Sequence, residues 1–230
     1  MFPFYNEEDK LTAMAPRLRP GLVDTFLGLN DGSTDGGPAL LRQHGIPVLD
    51  LPHTGAGACI KRAVGYAQEH GYDILVVMAG NNKDEPEEIP RLLQPILQDG
   101  YDYVQGSRFL PGGGYPNLPT FRRVAIKLLS TLFSLYAGTR CTELTNGFRA
   151  YRIGLFSDPR IDIWQPWLDG YEYEYYVHWK AYTYGYKVKE VPVTKSYPAD
   201  KSVQYSKIPP FTGWWHMLRP FVLLTLRLRH

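Results

Sequence analysis

DILVVMAGNNKDEPEEIPRLL, residues 73–93, decides the fold. Asp73–Met78 is a continuous apolar run, the pattern of a strand covered on both faces. A polar loop follows it. Glu85–Leu97 then reads as a helix, with Pro86 acceptable in its first turn. The same order recurs toward the N terminus. Ile46–Leu51 reads as a short buried strand, and Thr54-Gly55-Ala56-Gly57 opens a helix that reaches about Glu69 and stops at Gly71. Leu22–Leu29 is β-prone and halts at NDGSTDGG (30–37), where Ser33, Thr34 or Asp35 can cap a helix from about Pro38. Met1–Tyr5 looks like a strand end, and Asp9 to about Leu18 suits a helix.

Toward the C terminus Tyr101–Gln105 is a strand and Pro111–Pro119 a Pro/Gly-rich candidate flap. Phe121–Ala137 is a helix, Glu143–Arg152 a turn-rich connection and Gly170–Tyr184 a Tyr-rich helix. Tyr186–Val193 alternates like a strand. The tail from Ser196 reads as a loop until about Trp214, and Phe221–Leu228 is apolar with Arg219, Arg227 and Arg229 around it. Alternating strands and helices predict an α/β fold with a mainly parallel sheet flanked by helices. In such sheets the binding crevice lies at the carboxyl ends of the strands, where the polar clusters fall.

At 230 residues and 44% hydrophobic, the chain is long enough for one sizeable core. A net charge of +2 is far from the basic excess of a nucleic-acid binder, so phosphate affinity must come from placed groups. Cys59 and Cys141 have no CxxC context and no close His partner, which argues against a disulfide framework or structural zinc site and suits a reducing compartment. The apolar stretches fall short of the roughly 20 residues of a spanning helix. The first apolar residues run straight into Asn6-Glu7-Glu8-Asp9-Lys10, unlike a signal peptide. The expectation is a soluble or peripheral protein, cytoplasmic or at the inner face of the membrane.

In order and spacing, PFYNEEDKL (3–11), NDGSTDGG, GAGACIKRAVGYA (55–67), DEPEEIPRLL (84–93), VQGSRF (104–109), ELTNGFRAYR (143–152) and GYKVKEVPV (185–193) resemble the family 2 glycosyltransferases, especially their dolichol-phosphate mannose synthase-like branch. The resemblance implies a GT-A fold over residues 1–195, with 196–230 a C-terminal loop and helix. It also implies inverting transfer of a hexose from a nucleoside diphosphate sugar to a polyprenyl phosphate or a glycan hydroxyl. A second reading is a non-catalytic nucleotide-sugar or glycan-binding module.

The resemblance places the nucleotide against Pro3, Tyr5, Glu7, Asp31 and Gly57. Gly106, Ser107 and Arg108 would lie against the donor sugar and phosphates, where Arg108 can hold an oxyanion in a bidentate way. Arg122 and Arg123 are either phosphate ligands or solvated helix-end charges. Glu143 is the candidate base for a hydroxyl acceptor, and an orienting group only if the acceptor is a lipid phosphate. Arg149 either binds phosphate or pairs with Glu143. Ser206-Lys207 resembles the pair where the family's C-terminal loop closes over the diphosphate. Trp214, Trp215 and 221–228 either pack on the domain or contact a membrane surface.

One departure stands out. The family's strand at this point usually ends in an Asp-x-Asp that holds a divalent cation, but here the residues are Ala79-Gly80-Asn81. Three readings stay open. Asp84, with Asn81, serves a displaced Mg²⁺ or Mn²⁺; or Lys83 offsets the diphosphate without metal; or catalysis is lost.

Overall fold

The computed structural model describes residues 1–200 and 210–229. Its strands are β1 (Phe2–Phe4), β2 (Gly28–Asp31), β3 (Val48–Leu51), β4 (Ile74–Val77), β5 (Tyr103–Ser107), β6 (Arg149–Arg152) and β7 (Val188–Pro192). Its helices are α1 (Glu8–Met14), α2 (Gly37–Gln43), α3 (Ala56–Glu69), α4 (Ile89–Asp99), α5 (Thr120–Ala137), α6 (Glu172–Thr183) and α7 (Pro210–Thr225).

β1, β2 and β3 form one parallel sheet, and β4, β6, β5 and β7 a second. Backbone bonds from Met1 N to Val76 O (2.7 Å), Met78 N to Met1 O (3.1 Å) and Gly80 N to Pro3 O (3.1 Å) lay β1 parallel beside β4. The strand order across both sheets is therefore 3-2-1-4-6-5-7, with only β6 reversed. This is the mixed, mainly parallel sheet expected of the sequence.

Successive side chains of a strand face opposite ways, so a central strand feeds two cores. On β4, Leu75 and Val77 join one core with α3, α6 and α7, while Val76 joins the other with α1, α2 and α4. This explains why Asp73–Met78 reads as unbroken apolar sequence. α6 is aromatic almost all round, with Tyr173, Tyr175, Tyr176 and Trp179 buried, because α7 covers the side away from the sheet. His178 within it is fully buried beside the Tyr103 hydroxyl, 3.0 Å away, a structural role.

Three expectations change. The strand read over Leu22–Leu29 is only Gly28–Asp31, so Asn30 and Asp31 belong to it rather than to the loop. Arg149–Arg152 lies in the segment read as a turn-rich connection, yet it is the antiparallel strand between β4 and β5, pairing Val77 with Arg149 and Tyr103 with Tyr151. The candidate flap at Pro111–Pro119 is tied to the chain leaving β7. Gly114 N donates to Val193 O (3.1 Å), Lys195 N to Gly114 O (3.0 Å) and Tyr197 N to Pro116 O (3.1 Å).

Candidate active site

The carboxyl ends of β1, β2, β4 and β5 open on one cavity of about 590 Å³. Lys10, Lys83, Arg108, Arg122 and Lys195 line it, against the carboxylates of Glu7, Asp31 and Glu174. Glu7 pairs with Lys10, Asp31 accepts from the backbone, and the buried Asp84 and Glu143 stand behind Lys195 and Arg108, so the wall itself exposes more cationic groups than carboxylates.

At one end, Pro3, Tyr5, Glu7, Asp31 and Gly57, the residues read as a nucleotide site, line the same cavity. Asp31 accepts from Thr54 N (2.9 Å) and Gly55 N (3.1 Å), which fixes the entry to α3. The His53 ring stacks on Tyr5 with centroids 4.2 Å apart, making an aromatic platform. Ser33, Thr34 and Asp35 grip the loop after β1: Asn6 N donates to Ser33 Oγ (3.0 Å) and Glu8 N to an Asp35 oxygen (2.9 Å). Gly57 is required by packing, because a Cβ there would stand 2.1 Å from Leu168 O.

In the middle lies the loop after β4. Ala79 offers a methyl group. A Cβ at Gly80 would meet Phe4 Cβ at 2.8 Å and Pro3 O at 2.9 Å. Asn81 Oδ1 accepts from Lys83 N (3.3 Å). Asp84 is fully buried, one oxygen accepting from Lys195 Nζ (2.6 Å) and the other from Ala79 N (3.1 Å). A divalent cation of this kind wants several oxygen ligands, preferably anionic. The donors present do not fit one: Asp84 is committed to Lys195, and Asn81 is turned onto its own loop. Burial, then the charges of Lys195 and Lys10, lower the Lys83 ammonium to about 8 against the pull of Glu7 and Asp84.

At the other end, Arg108 meets Glu143 in a bidentate pair, Nε to Oε2 at 2.7 Å and Nη2 to Oε1 at 2.9 Å. Glu143 is fully buried and also accepts from Thr145 N (2.8 Å). Burial pushes its carboxyl up, but Arg108 and Thr145 outweigh burial and hold it below the usual carboxylate range. Such a group is a poor proton acceptor, and it lies behind Arg108 rather than in the cavity wall. Glu190 of β7 fixes this segment by accepting from Thr142 N (2.9 Å) and Glu143 N (2.8 Å).

Arg149 is fully buried, outside the cavity, and it is not the partner of Glu143. It donates to the carbonyls of Asn146 (2.7 Å), Glu174 (2.6 Å) and Leu144 (3.2 Å), which makes it a brace under the site. Gly106 and Ser107 are buried in β5: Ser107 Oγ bonds Thr142 Oγ1 (2.7 Å), and a Cβ at Gly106 would lie 2.7 Å from Phe148 O. Arg122 reaches the cavity from α5, whereas Arg123 is not part of its wall. Lys207 lies outside the described residues.

The segment 1–160 matches the model of glycosyl transferase family 2. The chain belongs to that family. Among curated members, it is 31% identical over 202 residues to the polyprenol monophosphomannose synthase of Mycolicibacterium smegmatis, covering 84% of this chain and 75% of that one. It is 32% identical over 205 residues to the undecaprenyl-phosphate mannosyltransferase of Micrococcus luteus, covering 84% and 81%. Among solved structures, glucosyl-3-phosphoglycerate synthase from Mycobacterium tuberculosis, in complex with Mg²⁺ and UDP, superposes with a TM-score of 0.68 at 19% identity, covering 98% of this chain and 76% of that one. That likeness establishes the fold, a GT-A glycosyltransferase fold.

Within this family 2 member, sequence reasoning missed Lys10, His53, Glu174, Lys195 and Tyr197 in the cavity wall. A signal existed for two of them. Thr194-Lys195-Ser196-Tyr197 lies one residue beyond β7, and a polar cluster at a strand end is the feature that marked the other loops.

α5 has two faces. Arg122 and Ile126 look into the cavity, while Phe121, Val124, Leu128, Leu132 and Leu135 form an exposed apolar stripe, Leu135 being 76% exposed. α7 lies alongside, with Phe221 against Phe133 at 5.3 Å and Trp215 exposed. The C-terminal helix therefore packs on the fold and also contributes exposed apolar residues next to Arg227 and Arg229. Among the described residues, no helix is long and apolar enough to cross a membrane.

Proposed function

We propose that this glycosyltransferase moves a hexose, with inversion, from a nucleoside diphosphate sugar to a polyprenyl phosphate at a membrane surface. The observation that carries this reading is the double face of α5. One side of the helix lines a cationic cavity, and the other is an apolar stripe with Lys127 exposed beside it. An acceptor with an anionic head and an apolar tail fits both sides at once. The names of the mycobacterial and micrococcal relatives, which specify polyprenol or undecaprenyl phosphate and mannose, support the same acceptor and a hexose.

In this reading the base and ribose lie on the Tyr5–His53 platform beside Glu7, and the diphosphate extends toward Lys83 and Lys195. The acceptor enters past Arg122. Its phosphate oxygen attacks the anomeric carbon from the face opposite the diphosphate, forming the new C–O bond as the old one breaks. The electron pair leaves with the nucleoside diphosphate, and the cationic wall stabilises the charge that develops there. A phosphate acceptor is already ionised and needs no base, which agrees with Glu143 being bound up with Arg108.

The test is incubation with a panel of nucleotide sugars and undecaprenyl phosphate in vesicles, reading nucleoside diphosphate release and the lipid product. Formation of a glycosyl lipid with inverted anomeric configuration is expected. Nucleotide binding without release from any donor would leave the chain a binding module and sink the proposal. Transfer to free glycans but never to the lipid would replace the acceptor. Glu174, which lines the cavity together with Glu7 and Asp31 but without their ties to Lys10 and the backbone of residues 54 and 55, would then be the group to test as base.

A further inference from the structure

We propose that this chain holds its donor diphosphate without a divalent cation, Lys83 and Lys195 standing where other members of the family bind metal. The inference rests on the donor reading above and concerns the same loop. Two ammonium groups form charge-assisted hydrogen bonds to phosphate oxygens without the strict octahedral shell that Mg²⁺ demands, and the buried Asp84 holds one of them in place.

The loop is built for this arrangement rather than left over from a lost one. Asp84 sits at its centre, 111 residues from Lys195 in sequence, and fixes that ammonium at the cavity wall. Lys195 Nζ also donates to Asn146 Oδ1 (3.2 Å). Those two bonds use two of its three N–H groups, so the third can serve a ligand. The Lys83 ammonium stands over the Tyr197 ring, 5.8 Å from its centroid, and Ser196 N donates to Lys83 O (2.8 Å). The loop after β4 and the chain leaving β7 are thus one unit, joined through Asp84–Lys195 and Lys83–Ser196. Lys10 adds a third ammonium to the same wall. Lys195 and Lys10 repel the Lys83 ammonium more than Glu7 and Asp84 attract it, a balance that disfavours an entering cation and that a diphosphate would relieve.

The test is isothermal titration calorimetry with GDP and UDP, in excess EDTA and again with millimolar Mn²⁺. The expected result is binding in EDTA, with a Kd that Mn²⁺ changes by less than about threefold. Lys83→Gln should weaken binding about tenfold or more in EDTA, the usual loss of a charged hydrogen bond, while Lys83→Arg largely retains it. Binding that appears only with Mn²⁺, or tightens more than about tenfold, overturns this proposal and leaves the donor reading standing. Absence of binding to either nucleotide in both buffers overturns the two together. Wild-type affinity in Lys83→Gln overturns the role of that lysine. The comparison of EDTA with Mn²⁺ uses the native chain, so it stands even where a variant misfolds.

Discussion

Arg108 and Glu143 form a buried ion pair, and the fully buried Glu143 carboxylate depends on the guanidinium for its charge. Removing one partner of such a pair typically costs about 3–5 kcal/mol, because the survivor is left buried and uncompensated. Glu143→Ala should therefore lower unfolding stability by that order in urea titrations. The pH dependence has a definite sign. The Glu143 carboxyl titrates below its ordinary value when folded, so its contribution is fully present above that ordinary value and lost as pH falls through the folded one. Between pH 6 and 3, roughly the range that spans carboxylate titration, wild type should lose more stability than Glu143→Gln. Equal slopes would mean that Glu143 is not held as an ion. The sequence shows the residues of such pairs but not the pairing. Glu143 was legible as a motif residue, yet its partner is Arg108 rather than Arg149, and Asp84 meets a lysine far along the chain. Long-range partners depend on register, and a one-residue slip would turn each side chain to the other face.

At the scale of elements, long apolar runs and helix ends were legible and short charged strands were not. β4 announces itself with ILVV, whereas β6 is RAYR, a central strand of four residues with an arginine at each end. Those arginines fit because they reach backbone carbonyls, Arg152 donating to Ile96 O at 2.7 Å and Arg149 to three others. α5 was legible as a helix, but its outer stripe at 121, 124, 128, 132 and 135 was not read as a surface. That stripe follows helical spacing on the side away from Ile126, Ser130 and Phe133, so folding does not bury it. Leu128→Glu combined with Leu132→Glu should weaken co-sedimentation with phosphatidylglycerol vesicles by roughly tenfold or more, since each leucine forfeits apolar burial. Exposed positions of this kind shift folding stability by only about 0.5 kcal/mol, so the urea midpoint should stay near wild type. Unchanged vesicle binding would remove α5 as the membrane face.

On the scale of the whole molecule, the cavity joins chain segments from both sheets. β1, β2 and the start of α3 supply the end with the Tyr5–His53 platform, while the loop after β4 and residues 195–197 supply the end with Lys83 and Lys195. A ligand spanning both ends ties the two sheets together and stabilises only the folded chain. At a nucleoside diphosphate concentration of about 100 times Kd, the gain is about 2.7 kcal/mol. For a chain of this length that corresponds to a rise in Tm of about 5–10 °C. Hydrogen exchange shows where the stabilisation falls. GDP or UDP should slow exchange at residues 5–8, 53–57, 79–84 and 195–197 together, and leave the outer turns of α5 unchanged. Protection confined to 5–8 and 53–57 would place the base on the Tyr5–His53 platform but the diphosphate in solvent. Lys83 and Lys195 would then belong to some other anion, and the transfer geometry would have to be rebuilt around the acceptor end of the cavity.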